Sequence, residues 1–340
     1  MARRKKDRVN VAWHLGAHLS GALVIALPYI SETRVMRALQ LLAFLYCMLC
    51  SLDAVLTKYQ LWHFEPMAPQ DKHFVLLTGA SSGIGREMAY LLAERKYSLV
   101  LAARSEAVLE RMRGEIEMVH KVQVLVCACD LATDAGVAKL IAFVRDKDLT
   151  IDILINNAGA SMTGNFHELS ADQVDQLLKL NVMATVKLTH AIVPQLVARR
   201  RGQILNMGSL ASAAPNPFAA LYGSSKAFVV NFTQAINYEL RSTGVTATCF
   251  CPGPVETNFH KTAACDSALY IKVPGVTMHP KDCAQAALTA MFNAVEIEYD
   301  STITRFLAMM LRSVVPTRFV LMLAAVSMHH PRKALDMIRR

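Results

Sequence analysis

From residue 73 onward, short apolar runs alternate with longer stretches of helical period. His73–Thr78 reads HFVLLT and Ser98–Ala103 reads SLVLAA, both of strand length. Between them lie a glycine-rich turn, Gly79-Ala-Ser-Ser-Gly83-Ile-Gly85, and a helix-period segment from Arg86 to Lys96. Further strands are predicted at Val122–Ala128, Ile151–Ile155, Gly202–Met207 and Thr246–Phe250, with helical stretches between them. Apolar strands separated by helices assemble as a parallel sheet covered on both faces. The pattern therefore predicts an α/β, Rossmann-type doubly wound sheet in a single domain, residues 71–300.

The ends of the chain follow a different pattern. Val9–Ile30 contains no Lys, Arg, Asp or Glu over 22 residues, long enough to cross a bilayer. A second apolar run, Ala38–Thr57, is interrupted only by Asp53. Trp13 lies near the start of the first run, and Tyr59, Trp62 and Phe64 follow the second, as interfacial aromatics do. Residues 1–70 thus read as a two-pass membrane hairpin. A cleaved signal peptide would explain the first run and leave the second. The basic start, MARRKKDR, holds the N-terminus in the cytosol, and two crossings return the chain there. Near the other end, Phe306–Leu311, Val314–Val315 and Phe319–Met328 are separated by Arg305, Arg312 and Arg318, with Pro316 bending the chain. None is long enough to span. Residues 301–340 read as a basic, apolar interfacial tail, a helix packed on the domain being the other reading.

Composition narrows the function. With 53% apolar and 19% charged residues in 340, neither disorder nor a disulfide scaffold fits. The net charge is +9, of which residues 1–70 carry +4 and residues 301–340 carry +6, leaving −1 for the middle. The basic excess lies in two apolar flanks, which suits a membrane and leaves no basic face for nucleic acid. No nucleic-acid partner is expected. The eight cysteines include two C-x-C pairs in strand-like runs, without histidines at metal-ligand spacing, so reduced thiols and no metal are expected.

Chemistry begins at the glycine turn. A strand, a glycine-rich turn and a helix form a dinucleotide cradle, because glycine lets main-chain N–H groups approach a pyrophosphate at a helix N-terminus. Thr78, Gly79, Ser81, Ser82, Gly83, Ile84 and Gly85 are its candidate residues. At the end of the second strand, where NAD would call for an acid, stands Arg104, nineteen residues after Gly85 and followed by Ser105. A guanidinium suits a 2′-phosphate, which predicts NADP(H).

Six motifs in register carry a family resemblance. They are Thr78-Gly79-Ala-Ser-Ser-Gly83-Ile-Gly85, Asn156-Asn-Ala-Gly159, Asn181, Ser209, Tyr222-Gly-Ser-Ser-Lys226 and Cys251-Pro252-Gly253-Pro-Val-Glu-Thr257. In order and spacing the chain resembles the classical short-chain dehydrogenases/reductases over residues 72–300. It looks most like their branch of membrane-associated 3-oxoacyl reductases and hydroxysteroid dehydrogenases. The resemblance implies cofactor contacts at Asp130 and Leu131, at Asn157, Ala158 and Gly159, and at Pro252, Gly253, Val255 and Thr257. It also implies a possible homodimer and, with the anchor, an endoplasmic-reticulum membrane protein whose catalytic domain faces the cytosol.

Ketone reduction needs a proton donor and polar groups on the carbonyl oxygen. Tyr222 can donate, and Lys226, one helical turn later, would favour its phenolate. The resemblance adds that Lys226 contacts the nicotinamide ribose, that Ser209 binds the carbonyl, and that Asn181 supports a proton path to Lys226. The expected substrate is a lipidic ketone or alcohol, most simply a 3-oxoacyl thioester, with hydroxysteroid, 3-ketosphinganine and acyl-dihydroxyacetone-phosphate substrates open. An apolar covering segment is expected between Pro254 and Met278, containing Phe259, Leu269 and Tyr270. A membrane-tethered, cofactor-binding protein without catalysis is the reading from a different class.

Overall fold

The computed structural model describes residues 40–41, 43–49, 51–52, 67–257 and 277–328. They fall in two compact units divided after Glu65. In the first, residues 43–49 are helical. Most of the expected hairpin lies outside the described residues, and among those described no helix is long and apolar enough to cross a membrane.

The second unit is built on seven strands: β1 His73–Thr78, β2 Ser98–Ala103, β3 Val124–Ala128, β4 Thr150–Asn156, β5 Gly202–Met207, β6 Val245–Cys251 and β7 Ile297–Tyr299. They pair in the order β3-β2-β1-β4-β5-β6-β7, all parallel. The order reverses between β1 and β4, the switch point at which open parallel sheets form their ligand crevice. β1, β2 and β5 have the bounds expected from their apolar runs, because strands covered on both faces are apolar throughout.

Helices cover the two faces. On one face α1 Gly83–Glu94, α2 Glu106–His120 and a later helix, Pro280–Phe292, bury Met88, Leu92, Leu109, Ile116, Leu288 and Met291 against Val75, Leu77 and Leu101. On the other, α3 Asp134–Asp146, α4 Ala171–Leu178 and α5 Ala184–Ala198 precede α6 Ala220–Glu239. Here Leu140, Leu188, Ile192 and Leu196 pack on Phe74, Leu76 and Leu154. α4 opens with a reciprocal cap between Ser170 and Gln173. It runs into α5 through a π turn, Lys179–Met183. The helix Pro280–Phe292 is α7, begun by a proline in its first turn.

After β7 the chain continues as α8 Thr302–Met309, a π turn over Met310–Val314, and α9 Thr317–Ser327. Arg305 is paired with Glu298 of β7. The π turn follows Met309, so the seven-residue spacing of Arg305 and Arg312 does not run along one regular α-helix. Residues 329–340 of the expected tail lie outside the described residues.

At the opposite end of the sheet from the crevice, Asp152 of β4 is 3% exposed and lies beside two guanidinium groups and an imidazole. Its carboxylate accepts from Arg199 at 2.5 Å and Arg201 at 3.0 Å, with His73 Nδ1 2.9 Å away. Arg201 also donates to the carbonyl oxygen of Ala68, fixing the segment that enters β1.

Candidate active site

The glycine turn is locked from beneath. Thr78, 1% exposed, donates its hydroxyl to the Ile155 carbonyl and accepts from the N–H groups of Asn157 and Ala158. The Asn157 amide donates in return to the carbonyls of Thr78 and Gly79, at 3.0 and 3.2 Å. Thr78 and Asn157 thus join the carboxyl ends of β1 and β4 and set the floor of the crevice. Gly79 and Gly83 have φ of +67° and +54°, left-handed values that glycine adopts without strain. A side chain on Gly85 would collide with the Gly79 carbonyl, so α1 can begin this close to the turn only with glycine there.

The start of α1 suits an anion. Its N-cap, Ser82, makes no side-chain capping bond, and its first turn contains no acid. The leading N–H groups are therefore left without a side-chain acceptor at the positive end of the helix dipole. Arg104 is exposed just beyond β2, with Ser105 at the N-cap of α2 and likewise making no capping bond. Asp130 is exposed after β3, one oxygen accepting from the Ala132 N–H, while Leu131 is buried beside it. Gly83 lies against Thr257: a Cβ on the glycine would stand 3.1 Å from the threonine methyl. The turn and the Pro252–Thr257 stretch, distant in sequence, thus meet. These residues fit a dinucleotide.

A second group gathers beyond the ends of β4 and β5. Lys226, in α6, is 6% exposed and donates to the Met207 carbonyl at 2.8 Å. Its nitrogen lies 6.0 Å from the centre of the Tyr222 ring, one turn earlier on the same helix. Burial pulls the Lys226 pKa down to about 8, against the opposing influence of the Cys249 and Cys251 thiols. Asn181, 1% exposed in the π turn, accepts from the Ala160 N–H and donates to the Ala160 carbonyl, both at 2.9 Å, and to the Ser225 hydroxyl at 3.0 Å. A Cβ on Gly159 would stand 3.4 Å from both the Asn181 amide oxygen and the Lys226 nitrogen. Gly159 therefore closes the space between them. Ser209 follows β5, and its oxygen accepts from the Ala211 N–H at 3.1 Å. That bond occupies a lone pair and leaves the hydroxyl proton to donate.

A phenol, a buried ammonium, a serine hydroxyl and the glycine turn share one end of a parallel sheet. The family described as short chain dehydrogenase matches residues 73–267, more than half of the chain. The chain belongs to the short-chain dehydrogenase/reductase family. A very-long-chain 3-oxoacyl-CoA reductase from Laccaria bicolor is 34% identical over 177 residues, 51% of this chain and 52% of that protein. The chain spans about half the length of the first such curated relatives. An NADP-dependent 3-hydroxy acid dehydrogenase from Schizosaccharomyces pombe is 33% identical over 57% of this chain and 75% of its own length. Among solved structures, a short-chain dehydrogenase from Sphingobium yanoikuyae in complex with NADPH superposes with a TM-score of 0.64. It is 32% identical and covers 68% of this chain and 90% of that one.

Three features of this short-chain dehydrogenase/reductase site had no signal in the sequence. Asp300, just after β7, accepts from the Gly253 N–H at 2.8 Å, and Thr304 of α8 lies against the same glycine. Asp300 is 47 residues from Gly253 and sits in no motif. The π turn that presents Asn181 leaves no mark in hydrophobic periodicity. Finally, Met162, Phe166, Leu169, Phe218 and Leu221 line a cavity of about 120 Å³ beside Tyr222 in the chain. Its two loops are tied by the Gly164 N–H donating to the Phe218 carbonyl at 2.8 Å. The apolar covering segment expected from the sequence lies for the most part at 258–276, outside the described residues.

Proposed function

We propose that the chain is an NADP(H)-dependent oxidoreductase that reduces a ketone on a lipid-type substrate, a 3-oxoacyl thioester before the alternatives named above. The observation that carries this reading is the buried Lys226 ammonium, held between Met207 and the Tyr222 ring with Ser209 at the same strand end. When bound, the cofactor supplies a hydride to the carbonyl carbon. Ser209 donates a hydrogen bond to the carbonyl oxygen and holds it toward Tyr222. The Tyr222 hydroxyl gives its proton to that oxygen as negative charge develops there. The Lys226 charge stabilises the phenolate left behind, and Asn181 orders the main chain at Ala160 beside it. In the oxidative direction the same groups act in reverse.

Arg104 supports the choice of NADP(H), since an exposed guanidinium just beyond β2 suits a 2′-phosphate. The crevice residues from Thr78 to Gly85, with Ser105, Asp130, Leu131, Asn157, Ala158, Gly159, Pro252, Gly253, Val255 and Thr257, form the cofactor side. The likeness to very-long-chain 3-oxoacyl-CoA reductases favours a hydrocarbon-bearing substrate, and the cavity beside Tyr222 in the chain has Phe166, Phe218 and Leu221 in its lining. Residues 1–70 anchor the protein as a hairpin, residues 71–300 form the catalytic domain, and the domain faces the cytosol at the endoplasmic reticulum. NADPH oxidation by the full chain, assayed against 3-oxoacyl thioesters and the other lipid ketones, tests this reading. Turnover of one of them supports it. No oxidation with any ketone, in protein that binds NADPH, would leave the non-catalytic alternative.

A further inference from the structure

The helices that follow β7 present their apolar residues outward. α8 buries Thr304 and Ala308 and exposes Ile303 (72%), Phe306 (59%), Leu307 and Met309. Positions 303, 306 and 307 lie on one face of a helix, where a water-facing helix carries polar side chains. α9 repeats the arrangement: Val320 is buried, while Phe319 (57%), Met322 and Leu323 are exposed. Such a concentration of exposed large apolar side chains marks an interaction surface.

Charge identifies what covers it. Residues 301–328 contain Arg305, Arg312 and Arg318 and no Asp, Glu or Lys. Arg305 is turned to Glu298 and secures α8 to the domain, whereas Arg312 and Arg318 are exposed among the apolar residues. A second copy of the chain is the wrong occupant. In a two-fold dimer through this face, each patch would meet itself and bring like charges together in an apolar setting. An anionic lipid surface offers both complements, acyl chains for the apolar residues and phosphates for the guanidinium groups.

We infer that α8 and α9 form a docking face for an anionic lipid surface. Its apolar side chains enter the boundary between headgroups and acyl chains, and Arg312 and Arg318 pair with lipid phosphates. The face belongs to the same element that contacts Gly253 through Thr304, so docking turns this end of the sheet toward the membrane. The inference does not depend on the reductase reading, because it is tested by contact rather than turnover.

The test places an indole on the face. Phe319→Trp and, as a control on α2, Met118→Trp (Met118 is 68% exposed) are made in the full chain. Each is reconstituted into vesicles of brominated phosphatidylcholine with or without phosphatidylserine, and the emission added to that of the parent is read. The Phe319→Trp increment should shift to shorter wavelength and fall about twofold on brominated, phosphatidylserine-containing vesicles, as for a face lying in the headgroup boundary. The Met118→Trp increment should not change. Adding Arg312→Glu and Arg318→Glu to Phe319→Trp, or raising salt, should reduce the quenching. Equal behaviour of the two indoles overturns the inference, and so does quenching unaffected by phosphatidylserine. A blue shift that grows with protein concentration without lipid would assign the face to a second copy and likewise overturn it.

Discussion

The Lys226 ammonium donates to the Met207 carbonyl oxygen at 2.8 Å, which fixes the charge at the carboxyl end of β5. Burial lowers its pKa to about 8, so the charge proposed to support the Tyr222 phenolate is lost within an accessible range. Ketone reduction should therefore be constant below that pH and fall tenfold per unit above about pH 8. The pH profile of kcat/KM measures it. A profile flat to about pH 10, where ordinary lysines titrate, would contradict the burial argument.

Arg104 should decide between cofactors. Its replacement by Ala is expected to weaken NADPH binding roughly ten- to a hundred-fold, the effect of losing a hydrogen bond to a charged group. NADH binding should change little, because NADH lacks the 2′-phosphate. Titration of both cofactors reads the difference, and equal losses would remove Arg104 from this role.

The Asp300–Gly253 bond predicts a positioning effect. Asp300→Ala leaves the Gly253 N–H without its acceptor and frees the Pro252–Thr257 stretch, which lies against the glycine turn. The expected result is a raised KM for NADPH with a smaller change in kcat, and partial recovery in Asp300→Asn, whose amide oxygen can still accept. An unchanged KM would confine Asp300 to stability.

Asp152 governs acid stability. Burial would raise its pKa, but the hydrogen bonds from Arg199, His73 and Arg201 outweigh it, and the pKa is lowered. A depressed carboxylate pKa adds stability that is complete above the ordinary aspartate value, near 4, and is lost as pH falls through the lower folded value. Asp152→Asn, which leaves two guanidinium groups without their countercharge, should cost about 3 kcal/mol at neutral pH. It should also flatten the acid dependence of urea unfolding. A mutant as stable as the parent at neutral pH would show the cluster to be energetically neutral.

How much of this was legible in the sequence follows from which forces are local. β1, β2 and β5 are apolar throughout because both faces are covered, so their runs mark their ends. β7 was missed: its three residues are only half-buried and make no apolar run. α1 begins at Gly83, three residues before the segment of helical period, because the glycine turn itself supplies the first helical residues. Tyr222 and Lys226 were visible through their spacing on one helix. Asp300 was not, because its partner is fixed by the β6–β7 pairing rather than by sequence neighbours. The Asn181 amide earns its place through Ala160 and Ser225, contacts that only the fold assembles.

The central claim is that Tyr222 supplies the proton in ketone reduction at a cofactor site built by other residues. Replacing Tyr222 with Phe removes the hydroxyl and keeps the ring that Lys226 faces. The decisive measurement is single-turnover NADPH oxidation with a saturating lipid ketone, alongside NADPH affinity, in parent and Tyr222→Phe. The account predicts a rate lower by about a hundredfold or more, in the range of general-acid catalysis, with nearly unchanged affinity. A mutant that oxidises NADPH at the parental rate would contradict it.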